Sequence, residues 1–212
     1  MAVDAVLFDR AVGCDRPPVV RIYTWPDRVV TIGKLQDFAD ARRIYSNDVL
    51  VRRPTGGKAV LHTDDLTISV VVPDSLLTDG LARRGVLASH SVILSGVAGA
   101  LKRFGFEAAT GRESVTRNIP SDCFARTMRC DLTDASTGCK ILGSAQARKS
   151  GIVLQQMSLR SIDGLDIHGD DFIDSLRDNM GRALGVVCWS IDDLDPTEAF
   201  DANKAARLWE TF

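Results

Sequence analysis

The stretch VLVRRPTGGKAVLHTDDLTISVVVP, residues 49–73, decides how this chain folds. An apolar β-rich run ends in Arg52 and Arg53 and breaks at Pro54, Thr55, Gly56 and Gly57. Two further β-rich runs follow, separated by the polar residues His62 to Asp65. Arg52, Arg53 and Lys58 place cations on both sides of one tight turn. Adjacent glycines let backbone N–H groups approach a ligand, and the flanking charges can hold a carboxylate, a thioester carbonyl or a phosphate. A Gly-Gly turn alone is more often a plain hairpin with solvated charges, so the surrounding sequence has to decide.

Upstream, residues 1–13 carry Val3, Val6, Leu7, Ala11 and Val12 at three-to-four spacing, which predicts a short amphipathic helix capping a sheet. VVRIYTW (19–25) and RVVTIG (28–33) read as two strands parted by Pro26 and Asp27, with a helical or looped connection from Gly33 through Arg43. Downstream, residues 84–104 show the apolar period of a helix packed on a sheet, closed by Gly105. Residues 111–121 are polar and read as a loop. CFARTMRCDLT (123–133) and KILGSAQARKSGIVLQQMSL (140–159) read as successive strands turning near Lys149 to Gly151, and helices are expected over 171–184 and 197–209. Strands that follow one another directly, with helices between blocks, favour an α+β architecture: a mixed, largely antiparallel sheet flanked by helices.

With 212 residues, 45% hydrophobic and 25% charged, the chain reads as one globular domain over 1–212. A net charge of -2 with dispersed Lys and Arg offers a polyanion no long-range attraction, which argues against nucleic acid as the main partner. No apolar run approaches the roughly 18 residues of a membrane span, and Asp4 and Asp9 interrupt any signal-peptide pattern, so a cytoplasmic protein without membrane partners is expected. Five cysteines without a CxxC pair predict neither a disulfide framework nor a zinc site, and His62, His90 and His168 lack ligand spacing. No metal site is expected.

RRPTGGKAVLHTDDLTIS (52–69) resembles the signature of lipoate-protein ligases and octanoyltransferases: Arg-Arg, a Ser/Thr-Gly-Gly turn, Ala-Val, a His-Asp-like pair and a closing Ser. KILGSAQARKSGIVLQQMSL (140–159) resembles a second block of the same family, whose lysine contacts the reacting acyl carbonyl, and RIYTWPDRVVTIGKLQ (21–36) also fits. The resemblance covers roughly residues 1–165. It implies the catalytic-domain fold of the biotin/lipoate ligase superfamily, with an acyl tunnel beneath the Gly-Gly loop, and at 212 residues no C-terminal accessory domain, which many ligases carry, is expected. Carried over residue by residue, it implies Arg53, Thr55, Gly56, Gly57, Lys58 and His62 as the acyl-site loop, and Lys140, Gly143, Ser144 and Ala145 as the facing strand.

The family divides between ligases, which activate free lipoate with ATP and Mg²⁺ through an acyl-adenylate, and transferases, which need no cofactor and take the acyl group from a carrier protein through a cysteine. Cys123, in SDCF, is similar to the Cys-Phe pair of the cysteine-dependent octanoyltransferases, and a thiolate is a competent nucleophile toward a thioester. Cys130 and Cys139 are its weaker rivals. Lys58 stands where ligases resemble one another in having a third glycine. The expected catalytic pair is therefore Cys123 and Lys140, with His62 a hydrogen-bonding residue of the loop rather than a general base. The expected donor is an acyl-carrier protein, and the acceptor a lysine of a lipoyl domain or the glycine-cleavage H-protein. An ATP-dependent ligase and a non-catalytic acyl-protein binder are the alternatives. The sequence departs from the family at Gln156 and Met157, where a His-Gly pair is usual, and across GRESVTRNIP (111–120).

Overall fold

A computed structural model describes residues 1–13, 17–77, 85–112, 124 and 127–186. Among these, β1 (Val19–Tyr23), β5 (Leu66–Pro73), β9 (Ile152–Leu159), β8 (Lys140–Lys149), β7 (Leu132–Asp134) and β6 (Ala108–Thr110) form a six-stranded sheet in that spatial order, antiparallel throughout. A second sheet of three strands has the order β3 (Val49–Arg52), β2 (Val29–Ile32), β4 (Val60–His62), with β2 parallel to β3 and antiparallel to β4. The mixed, largely antiparallel α+β architecture expected from the sequence is the one observed.

Alternation along β5 assigns the faces. Leu66, Ile68, Val70 and Val72 point into the main core with Val153, Met157 and Leu159 of β9. That face is covered by α3 (Val86–Arg103) and α4 (Asp170–Leu184), which pack on each other and contribute Ile93, Val97, Leu101, Phe172, Leu176 and Met180. The close approach of the two helices depends on Gly96, where a Cβ would come within 3.0 Å of the Met180 backbone. α4 ends at Gly185 in the left-handed region, where glycine carries no Cβ penalty.

On the opposite face α1 (Ala2–Ala11) lies across β5 and β9 through Phe8, Val71, Ile152 and Leu154. The helix therefore caps one side of the sheet as its periodicity predicts. The small sheet has its own core of Val30, Ile32, Ala41 and Ala59 under α2 (Phe38–Ile44), whose N-terminus is capped by Asp37 accepting from the Asp40 amide at 2.9 Å.

The two strands read on either side of Pro26 and Asp27 are present but do not pair; the break between them hands the chain from one sheet to the other. One reading is corrected. Among the described residues of the strand read over 123–133, extended structure begins at Leu132: Asp131 accepts from the Met128 amide at 2.7 Å and donates its own amide to the Met128 carbonyl at 3.1 Å, closing a turn where an extended strand would run. Strand β6 falls between the helix expected over 84–104 and the loop expected over 111–121, where the sequence suggests no element. Most of the polar loop 111–121, the expected helix over 197–209, and Cys123 itself lie outside the described residues.

Candidate active site

The antiparallel register lays two rows across the sheet face that α1 and the small sheet cover. One runs Tyr23, Thr67, Ser158, Gly143; the next runs Arg21, Ser69, Gln156, Ala145. Buried Thr, Ser and Gln in the centre of a sheet are costly unless bonded, so their partners define what is built there.

The loop after β3 folds back over this polar floor. Its arginines hold it by donating to backbone carbonyls. Arg52 Nη1 donates to the carbonyls of Gly33, Lys34 and Gln36 at 2.8–3.0 Å, and buried Arg53 donates to Thr31 O at 3.0 Å, Gly56 O at 2.8 Å and Lys58 O at 2.6 Å. Gly33 is the other half of this fit, since a Cβ there would lie 2.1 Å from the Gly57 carbonyl oxygen. Gly57 has φ of 89° and sits above Ala145, 3.8 Å from where its own Cβ would be. Thr55, fully buried, donates to Gln156 Oε1 at 2.9 Å, and Gln156 Nε2 donates to Asp4 of α1 at 2.7 Å. Gln156, one of the two departures from the family pattern, thus ties loop, sheet and α1 together. Asp4 is itself buried and accepts from Arg21 and Tyr23 as well.

Between loop and floor lies a narrow pocket of about 40 Å³, room for a few waters. Arg53, Gly57 and His62 line it from the small sheet and its loop, Gly143, Ser144 and Ala145 from β8, Gln156 to Ser158 from β9, and Met1 from the α1 side. Thr55, Gly56, Lys58 and Lys140 are not among the described lining residues. The Ser144 hydroxyl points the other way, bonded at 3.0 Å to His90 of α3 on the helix-covered face. Burial pushes the His90 imidazole down to about 4, with the Arg148 charge adding to it. Lys140 places its ammonium 2.8 Å from Asp131, both side chains buried, and Asp131 also accepts the Ser144 amide at 3.2 Å. Cys130 donates to Ser144 O at 3.6 Å, beside this ion pair, while Cys139 is exposed.

On the opposite wall Thr31 Oγ1 and His62 Nε2 are 2.8 Å apart, and His62 Nδ1 is 2.8 Å from Asp65. Trp25 stacks on the imidazole at 4.6 Å and donates to Thr67 at 2.9 Å. Ser158 adds a 2.8 Å bond to the same Asp65 oxygen. Burial pushes the Asp65 carboxyl up, but the bonds from His62 and Ser158 more than offset this and hold it below its ordinary value. Sequence reasoning named His62 and missed Thr31, Asp65, Asp4 and Asp131. A Thr inside the fully buried run VVTI and an acid on the apolar stripe of α1 were the available signals.

A six-stranded antiparallel sheet with a small mixed sheet and glycine loop closed over one face defines a lipoate-ligase-type catalytic domain, and solved structures share it. A lipoate-protein ligase A bound with ATP superposes with a TM-score of 0.70 at 20% identity, covering 99% of this chain and 87% of that one. A putative lipoate protein ligase from T. acidophilum gives 0.72 at 21%, covering 99% and 88%. Residues 1–168 match the lipoyl protein ligase A/B catalytic domain, and the chain belongs to that family. Among curated relatives, octanoyltransferase LipM of Macrococcus caseolyticus is 35% identical over 227 aligned residues, covering 100% of this chain and 80% of the relative. LipM of Kyrpidia tusciae is 36% identical over 92% of this chain and 74% of the relative, and LipM of Carboxydothermus hydrogenoformans 34% over 73% and 57%.

Proposed function

We propose that this chain is an acyltransferase that moves an octanoyl or lipoyl group from an acyl-carrier thioester to Cys123, and from there to a lysine ε-amine of a lipoyl domain or H-protein, without a cofactor. The observation that carries this reading is the likeness to octanoyltransferases along the whole chain. The covered pocket supports it: a glycine loop faces small residues of β8, the form a thin acyl chain and its carbonyl require. In this reading Gly57, His62, Gly143 and Ala145 hold the acyl group. Arg53, Thr55, Gly56 and Lys58 shape the loop. Lys140, steadied by Asp131, supplies positive charge near the reacting carbonyl or the departing sulfur. No helix among the described residues is long and apolar enough to cross a membrane, which suits an enzyme meeting its carriers in the cytoplasm.

Intact-mass measurement after incubation with octanoyl carrier protein tests the reading. Wild type should gain one octanoyl group, and Cys123→Ser should gain none and lose nearly all turnover, because an alcohol near neutral pH is a far weaker nucleophile than a thiolate. Transfer that requires ATP and Mg²⁺, with no acyl mass on the wild type, would select a ligase instead. Retained transfer by the Ser variant would move the nucleophile to Cys130 or Cys139.

A further inference from the structure

We infer that Thr31, His62 and Asp65 form a proton relay that takes up the proton shed by the attacking lysine amine, with Thr31 meeting the substrate and His62 and Asp65 acting behind it. The inference rests on the acyl-transfer reading above and adds the group that readies the acceptor. An ε-amine is almost wholly protonated near neutral pH and cannot attack until a base removes that proton.

The hydrogen-bond directions are fixed from the Asp65 end of the relay. An ionised carboxylate only accepts, so Asp65 takes the His62 Nδ1 proton across 2.8 Å. Nε2 of the neutral ring is then an acceptor, to which the Thr31 hydroxyl donates at 2.8 Å while itself accepting from Arg53 Nη1 at 3.3 Å. Nε2 is thus an acceptor aimed, through one hydroxyl, at the pocket that Thr31 and His62 both line. All three residues are buried, and a buried imidazolium is tolerable only with a carboxylate against it, which Asp65 provides. Trp25 stacked on the ring and Ser158 bonded to Asp65 keep the geometry rigid. His90 does not serve here, since it bonds Ser144 on the far face and is held neutral by burial and Arg148, and Lys140, its ammonium paired with Asp131, keeps the electrostatic role given it above.

The step balances as follows. An ammonium proton passes to Thr31 Oγ while the hydroxyl proton passes to His62 Nε2, leaving a neutral amine and an imidazolium paired with Asp65. The amine lone pair forms the C–N bond at the thioester carbonyl. The C–S bond breaks, the second nitrogen proton goes to the departing sulfur, and His62 returns its proton to solvent.

The test uses acyl-enzyme charged beforehand and follows its discharge in a single turnover to two nucleophiles: the acceptor lysine, and hydroxylamine, which is already unprotonated near neutral pH. The readout is the ratio of the two rates, so altered charging or a shifted acyl group cancels. Thr31→Val, which keeps the strand's β-branched shape, should lower the lysine-to-hydroxylamine ratio by about 10²- to 10⁴-fold, as should Asp65→Asn. Thr31→Ser should restore it to within about threefold of wild type. An unchanged ratio in Thr31→Val, whether both rates persist or both fall together, overturns the relay and leaves a packing role. If the wild type never acquires acyl mass, the thioester reading fails by itself; the same ratio measured on ATP-driven transfer then decides the relay.

Discussion

Replacing Gly33 by Ala should damage the site from outside the signature. Gly33 is not in the left-handed region, so alanine strains nothing in its own backbone. The obstacle is steric, because the new Cβ would lie 2.1 Å from the Gly57 carbonyl oxygen, 3.0 Å from its carbon and 3.1 Å from the Gly56 carbon. All three neighbours are backbone, and real Cβ contacts below 3.0 Å are essentially never seen, so the Gly-Gly segment has to retreat by about 1 Å. It is not free to do so. Arg53 grips the carbonyls on both sides of Gly57, and the Lys34 amide donates to Thr55 O at 2.9 Å.

Loosening one charge-assisted bond of this set costs about 1.5–3 kcal/mol. A misplacement of about 1 Å at a reacting carbonyl can cost on the order of 10²-fold in rate. Gly33→Ala should therefore lose about 2 kcal/mol in urea denaturation and about 10²-fold in single-turnover transfer. Gly56→Ala is the internal control: its Cβ would meet nothing within 4 Å and its φ is not positive, so it should keep wild-type rate and stability. Gly57→Val should fail with Gly33→Ala, since φ is 89° and its Cβ would press on Arg53 Nη2 at 2.9 Å. Near-wild-type transfer and denaturation midpoint in Gly33→Ala, or a Gly56→Ala loss as large as that of Gly57→Val, would refute the contact as the element that sets the loop.

The buried Lys140–Asp131 pair makes a second expectation: Asp131→Asn or Lys140→Ala alone should cost about 3–5 kcal/mol by stranding one buried charge, so their transfer rates must be compared on folded protein at matched concentration. A loss under about 1 kcal/mol in urea denaturation would mean that the pair is solvated in solution. His90 gives a pH signature: its folded value is lowered to about 4 from 6.5, so the unfolded chain binds more protons between those values and stability is lost as pH falls from 6.5 toward 4. The loss is on the order of 3 kcal/mol, absent in His90→Gln, and denaturation midpoints of the two proteins that stay parallel across that range would contradict it.

Period and punctuation made most of the fold readable. Alternation and β-rich runs mark β1, β2 and the strands of 49–73 and 140–159, and the three-to-four spacing marks α1, α3 and α4. Partnership was not readable. Nothing local distinguishes a Pro-Asp break that folds one strand on the next from one that sends it into a second sheet, because that depends on which distant strand offers a better face. The three-residue β6 carries too few side chains to show any period, and the turn before β7 exists because Asp131 bonds backward to Met128, a side-chain contact that no propensity encodes.

The site divides along the same line. Residues whose chemistry is expressed toward the pocket by their own backbone, such as Gly57, Gly143 and Ala145, stand out as small residues at fixed spacing. The arginines beside the loop read from the sequence as charges able to hold a ligand; in the fold Arg52's bonds and Arg53's bonds to Gly56 and Lys58 end on carbonyls of the chain, 3 to 19 residues away, while Arg53 also lines the pocket. A guanidinium beside a glycine turn has carbonyls of its own loop within reach before any substrate arrives, and those bonds are charge-assisted. Such an arginine stiffens the binding loop as well as facing what enters it. The acids show the converse. The sequence reading gives Asp4 and Asp65 no place in the site, and folding buries both against polar rows whose members come from four strands, Asp4 bonded to Arg21, Tyr23 and Gln156, and Asp65 to Thr67 and Ser158. Their meaning lies in a register that only the assembled sheet creates, and it is there that His62 acquires the carboxylate that changes it from a loop tether into a base.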